Sequence, residues 1–280
     1  MAGEMTGKVA IVTGGARGLG EAMVELVAEE GGRVVIADLR EDEGRALAAR
    51  IGDAARFRRT DVSCRDDMQG LVDFAVSEFG GLHAMVNNAG LTDNMFGPLL
   101  DADFGVFETI MNVIVLGTML GTQIAARCMA QGGGGAVVNI SSISGVRAGF
   151  GFPVYRASKA AVMNFTQSAA SELGKHLVRV NCICPGNIPT EMGAFNNAPG
   201  QDDLQDRIRA AVRDTRMDWQ PLKRQGAPRD IAEAVVFLCG DRSRQITGQV
   251  ISVDGGSAAC DSRSQIDDIM AARAAVEAAG

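Results

Sequence analysis

Short runs of consecutive apolar residues alternate along this chain with longer stretches whose apolar positions recur every three or four residues. The short runs are Lys8 to Val12, Arg33 to Ala37, Ala55 to Thr60, His83 to Val86, Ala136 to Ile140, Val178 to Ile183 and Gln249 to Val253. Runs of this kind suit strands buried on both faces. Helical spacing follows Gly20, then covers Glu41 to Ile51, Asp66 to Phe79, Asp103 to Met129, Pro153 to about Lys175, and Pro228 to Leu238. Strand and helix in alternation predict an α/β fold, a parallel sheet flanked by helices. No domain break interrupts residues 1–256. From Asn187 to Pro221 the pattern loosens, and residues 187–221 predict an irregular lid over a ligand. The tail 257–280 is Ala-rich, with helix-like spacing from Ile266 to Ala279.

Composition narrows the class. The 280 residues are 46% hydrophobic, enough for one large core. The net charge of -7 and the lack of a basic block argue against nucleic acid or an anionic membrane as partner. Met1 to Lys8 carries Glu4 and no apolar core, so no signal peptide is expected. No uncharged apolar run reaches the roughly 18 residues of a membrane span without polar interruption. The six scattered cysteines read as reduced thiols of a cytoplasmic protein. Cys182-x-Cys184 has no second pair to complete a zinc site, and His83 and His176 are too few for a metal centre.

Two stretches carry chemistry. In the first, a strand runs into Thr13-Gly14-Gly15-Ala16-Arg17-Gly18-Leu19-Gly20 and then a helix. Glycines let a ligand approach the backbone, and the new helix N-terminus offers free N–H groups to a pyrophosphate. Asp38 closes the second strand, at the distance expected of a carboxylate that binds a ribose; an ordinary strand-end acid is the plain alternative. In the second, Tyr155 and Lys159 lie four apart on one helix face. A phenol titrates near ~10, and a neighbouring cation is expected to lower that value. The pair can then exchange a proton with an alcohol or carbonyl oxygen. Tyr155 is the only tyrosine of the chain. Ser142 offers a hydroxyl to the same oxygen; Ser141 is its alternative, disfavoured by strand-end position and spacing.

The fourth helical stretch is unusually apolar over Val113 to Leu120, which predicts packing on another subunit as well as on the sheet. Asn112 is its polar exception, and as a buried polar group it could simply be hydrogen-bonded in the core.

With these residues in hand, the chain resembles the classical short-chain dehydrogenase/reductase family over Gly7 to Gly256. The resemblance rests on Thr13 to Gly20, on Asn87-Asn88-Ala89-Gly90, on Asn112, on Ser142 with Tyr155 and Lys159, on Pro185-Gly186 with Ile188 and Thr190, and on Asp254-Gly255-Gly256. It implies a Rossmann-type, doubly wound domain with a seven-stranded parallel sheet and a nicotinamide cofactor at the carboxyl ends of the strands. It implies cofactor contacts from Gly14, Arg17, Gly18, Leu19, Gly20, Asp38, Leu39, Asn88, Ala89, Gly90, Pro185 and Gly186. Asp61 and Val62 would hold the adenine. Ile188 and Thr190 would meet the carboxamide. Lys159 would also bind the nicotinamide ribose, Ser142 would polarise the substrate oxygen, and Asn112 would hold a water that relays protons from Lys159.

These implications give an NAD-dependent interconversion of a secondary alcohol and a ketone. The alternatives are a 3-oxoacyl carrier-protein reductase and a dinucleotide-binding regulator without catalysis. Asp38 favours NAD, whereas Arg17 would suit a 2′-phosphate. Phe150, Phe152, Met192, Phe195, Met217 and Trp219 suggest an apolar pocket for a cyclic or aromatic-bearing substrate. A homotetramer is expected, with a dimer second.

Overall fold

Seven strands form one parallel sheet: β1 (Val9–Thr13), β2 (Arg33–Asp38), β3 (Ala55–Arg59), β4 (Ala84–Asn87), β5 (Gly135–Ile140), β6 (Val178–Pro185) and β7 (Val250–Val253). The structure is a computed structural model and describes residues 3–93, 97–190, 202–262 and 265–279. The strand order is β3-β2-β1-β4-β5-β6-β7. The chain therefore changes direction between β1 and β4, and in open α/β sheets ligands bind at the carboxyl ends beside such a switch point.

Side chains alternate across the sheet as a strand period of two demands. Ala10 and Val12 of β1 join a core with α1 (Gly18–Glu29), α2 (Glu41–Ile51) and, late in the chain, the helix Pro228–Cys239. Val9 and Ile11 face the opposite way, against α3 (Arg65–Phe79), the helix Gly117–Gln131 and the helix Pro153–Leu173. Each predicted strand is found, shifted at its ends by a residue or two.

The apolar stretch after β4 is one continuous helix, Phe107–Gln131, with a phase change inside it. It consists of α4 (Phe107–Met111), a π turn (Asn112–Leu116) and α5 (Gly117–Gln131). By length and composition this helix, with polar residues such as Asn112 within it, could cross a membrane, yet 56% of its most apolar window is buried. It belongs to the protein core. Leu116 and Met119 remain 39% and 38% exposed, which leaves an apolar strip on its outer side.

A one-turn helix, α6 (Ile143–Val146), precedes α7 (Pro153–Leu173). The segment predicted to be irregular contains α8 (Asp202–Asp218), a regular helix where an irregular stretch is expected from the sequence. Only the stretch before it, with Met192 and Phe195, lies outside the described residues. The chain continues through α9 (Pro228–Cys239) and ends in α10 (Gln265–Ala279). The tail is helical as its spacing suggests, and Ile266, Ile269, Met270 and Val276 on it are exposed.

Candidate active site

The Gly-rich turn and the loop after β4 are stitched together at the switch point. Thr13 Oγ1 accepts the N–H groups of Asn88 (3.0 Å) and Ala89 (3.1 Å), and Asn88 Nδ2 donates to the carbonyls of Thr13 (2.9 Å) and Gly14 (3.0 Å). Gly14 takes φ +61°, and a Cβ there would stand 2.9 Å from Ala89 Cα, so the close approach needs glycine. Gly20 has no room either, since its Cβ would meet the Gly14 carbonyl. α1 opens at Gly18 without a side-chain cap from Arg17. Its first N–H groups, the strand-end acid Asp38 and the missing side chains together fit a dinucleotide pyrophosphate and ribose.

Asp38 is more than a strand-end acid. Its Oδ2 accepts the Ala16 N–H (3.0 Å) and its Oδ1 the Arg40 N–H (3.1 Å), so it anchors the Gly-rich turn. Leu39 beside it is 54% exposed. Asp61 turns its Oδ1 onto the N–H and hydroxyl of Ser63, while Val62 is buried against Gly117 at the start of α5. On the other wall, Pro185 ends β6, Gly186 packs on Asp254, Ile188 on Gly226, and Thr190 faces Gly18 at 3.7 Å from its Cβ position.

The residues expected to transfer protons converge beyond β5. Lys159 is 4% exposed, and its Nζ donates to the Ile140 carbonyl over 2.8 Å. The ammonium also lies 5.6 Å from the centre of the Tyr155 ring, and 3.6 Å from where a Gly90 Cβ would be. Burial lowers Lys159 from 10.5 to about 8, with Cys182 and Cys184 acting the other way. Tyr155 moves against the sequence expectation. Burial pushes its phenol up, a hydrogen bond with Ser142 pulls it down, and Asp93 and Cys184 push it further up.

The two serines have different partners. Ser141 is buried and donates to the Lys159 carbonyl (2.7 Å), a structural tie. Ser142 caps α6, its Oγ accepting the Ser144 N–H at 3.1 Å, and it is the one that meets the phenol. Asn112 is exposed at the start of the π turn, its carbonyl accepting the Gly117 N–H, so it is not a core residue.

Two residues escaped the sequence reading. Asp93 is buried against the N-terminus of α7, and Arg156, directly after Tyr155, gathers carbonyls of the preceding loop. The acid follows the Asn-Asn-Ala-Gly loop and could have been flagged by its place; the arginine carries no sequence signal. Of the apolar pocket candidates, Phe150 is fully exposed, Trp219 is 58% exposed, and Phe152 and Met217 are half-buried.

Known proteins resemble this chain along nearly its whole length. A family model described as Enoyl-(Acyl carrier protein) reductase matches residues 14–258. Sex determination protein tasselseed-2 of Zea mays is 40% identical over 277 residues, covering 90% of this chain and 82% of that protein. Zerumbone synthase of Zingiber zerumbet is 36% identical over 254 residues, covering 90% and 95%. A 3-alpha-(or 20-beta)-hydroxysteroid dehydrogenase of Mycobacterium tuberculosis is 36% identical over 266 residues, with 92% of each covered. Among solved structures, a short-chain type dehydrogenase/reductase from Mycobacterium ulcerans superposes with a TM-score of 0.82 at 31% identity, covering 91% of both chains.

Proposed function

This chain belongs to the short-chain dehydrogenase/reductase family, an oxidoreductase family whose members bind a nicotinamide dinucleotide, and we propose that it interconverts a secondary alcohol and a ketone with NAD(H). The observation that carries this reading is the meeting of Ser142, Tyr155 and Lys159 at the end of β5, next to the Gly90 loop. When bound, the nicotinamide supplies the acceptor or donor of hydride. Tyr155 takes the hydroxyl proton in oxidation and returns it in reduction. Ser142 holds the substrate oxygen toward the phenol. Lys159, with an ammonium titrating at about 8, stabilises the phenolate as it forms and holds the nicotinamide ribose. Asn112, at the open side of the helix, leads protons from Lys159 to solvent through water.

Names among the relatives, borneol dehydrogenase and hydroxysteroid dehydrogenases, support a bulky cyclic alcohol as the substrate class. The exposed Phe150 and Trp219 offer apolar surface to such a ring system. A second reading, an acyl carrier-protein reductase, is favoured by the description of the family model. The net charge of -7 is unfavourable for docking an acidic carrier. The test is a panel of terpenoid, steroid and simple secondary alcohols with NAD, against 3-oxoacyl and enoyl thioesters with NADH and NADPH, followed by nicotinamide absorbance. Turnover confined to thioesters would overturn the alcohol reading.

A further inference from the structure

Asp93 follows the Asn87 to Gly90 loop and is only 1% exposed. Its Oδ2 accepts the backbone N–H groups of Val154 and Tyr155, each at 3.2 Å. These donors belong to the first turn of α7, whose preceding residue, Phe152, sits in the left-handed region (φ 54°) and supplies no side-chain cap. An acid 62 residues away in sequence from Tyr155 thus does the work of a local cap. Its other oxygen, Oδ1, is the one buried side-chain N or O without a hydrogen-bond partner among the described residues.

Burying a carboxylate is costly, and a neutral Ser or Asn beside the helix would satisfy the same N–H groups. The reach of Asp93 adds something a local cap lacks. It ties the main chain of Tyr155 to the loop whose Gly90 borders Lys159 and whose Asn88 and Ala89 are bonded to Thr13. We propose that Asp93 is a positioning residue that holds the Tyr155 end of α7 in register with the dinucleotide-binding loop at Asn88 to Gly90. The inference rests on the reading of Tyr155 as acid/base. Besides Asp93, the titratable groups facing the phenol among the described residues are Lys159 of α7 and Cys184 of β6, whereas α4 and its π turn present Ile110 and Ile114.

The test compares Asp93→Asn, Asp93→Ala and Tyr155→Phe in the full chain, with NAD and an alcohol that the wild type oxidises. Hydrogen–deuterium exchange of residues 153–158, without cofactor, reads the contact itself. Asp93→Ala should expose these amides at least about tenfold faster, as expected when a local opening is made easier. It should lower kcat by about 100-fold with KM for the alcohol little changed, the size of loss a misplaced reacting group produces. Asp93→Asn keeps an accepting oxygen, so protection should persist. Loss of the charge beside the phenol should then move the oxidation pH profile to lower pH. Faster exchange with unchanged kcat and unchanged profile would reduce Asp93 to a structural cap and overturn the proposal, as would wild-type exchange in Asp93→Ala. If Asp93→Ala fails to fold, the same exchange and kcat measurements on Asp93→Ser, whose side chain is shorter, decide. Turnover retained by Tyr155→Phe would instead defeat the acid/base reading, a result that exchange distinguishes from failure of the Asp93 contact.

Discussion

Asn87 and Asn139 face each other across β4 and β5, with Asn87 Nδ2 donating to Asn139 Oδ1 over 2.8 Å. Both are buried at the centre of the sheet. Asn87 also donates to Thr122 Oγ1 of α5 (3.2 Å), and Asn139 to Thr166 Oγ1 of α7 (2.9 Å). The network therefore fixes two helices onto the sheet, one of them the helix of Tyr155 and Lys159. Satisfied buried networks of this type specify a single arrangement, and partly satisfied ones are costly.

Gly121 makes the network possible. A Cβ at this position would lie 2.0 Å from Asn87 Oδ1 and 2.8 Å from the Met85 methyl. Gly121→Ala must push α5 off the sheet or break the asparagine pair. We expect a loss of about 3 kcal/mol, from overpacking together with a buried amide left unpaired. The urea midpoint should fall with the m-value unchanged. A variant as stable as the wild type would mean that α5 shifts freely.

Much of this was legible in the sequence because it is local. The strand-turn-helix of Thr13 to Gly20 and the i, i+4 pair Tyr155/Lys159 are written in consecutive residues. Other features are tertiary or phase effects. α8 is rich in charge, and its apolar positions, Leu204, Ile208 and Val212 among them, recur at helical spacing but are diluted by that charge. The π turn at Asn112 shifts the helical phase without any residue type that announces it. The reach of Asp93 to α7 exists only once β4 and β5 are side by side. The direction of the Tyr155 shift depends on desolvation, which spacing does not reveal.

Lys159 couples stability to pH. Its ammonium titrates at about 8 in the fold, below the ordinary 10.5, so the folded state disfavours the charged form. The penalty is complete below the folded value and fades as pH rises toward 10.5. Its full size is about 3 kcal/mol by the usual conversion. Lys159→Met removes the penalty and leaves the Ile140 carbonyl without its donor. Relative to this variant, the wild type should gain stability between pH 8 and 10.5, by up to about 3 kcal/mol. Urea titrations of both proteins at pH 7 and pH 10 measure the change. A difference that stays constant with pH would place the Lys159 titration elsewhere. The variant should also lose turnover.

Arg156 shapes the loop between Ser142 and Tyr155. Its Nε donates to the Gly151 carbonyl (2.9 Å), Nη1 to Arg147 (2.9 Å) and Ser144 (3.4 Å), and Nη2 to Phe150 (3.1 Å). A Cβ at Gly149 would be 2.8 Å from Nη2, so the guanidinium fills the loop's interior. A lysine is a point charge and cannot reproduce this planar fork. Arg156→Lys should raise KM for the alcohol by about tenfold, equal to the loss of one net hydrogen bond's worth of order. Residues 147–151 should become open to limited proteolysis. Unchanged KM with unchanged protease resistance would show that the loop holds its shape unaided.

On the proposed reading cofactor choice turns on Asp38, whose two tasks substitutions can separate. Its carboxylate anchors Ala16 and Arg40, and on the proposed reading its charge would face the 2′-phosphate of NADP. Close like charges cost several kcal/mol, which is more than ~100-fold in affinity. Arg17 in the turn and Arg40 beyond it could pair with that phosphate, although Arg40 already bonds Glu43 at 2.9 Å on the exposed side. The wild type should therefore prefer NAD. Asp38→Asn retains an oxygen to accept the Ala16 N–H, removes the charge and gives up the acceptor of the exposed Arg40 N–H. It should raise kcat/KM for NADP by at least about tenfold, a conservative share of the repulsion, with little change in thermal stability. Asp38→Ala gives up the anchor as well, so its gain in NADP use should come with a stability loss of about 1–3 kcal/mol. Equal NADP use by wild type and Asp38→Asn would show that the carboxylate only anchors the turn, and that selection lies with the arginines.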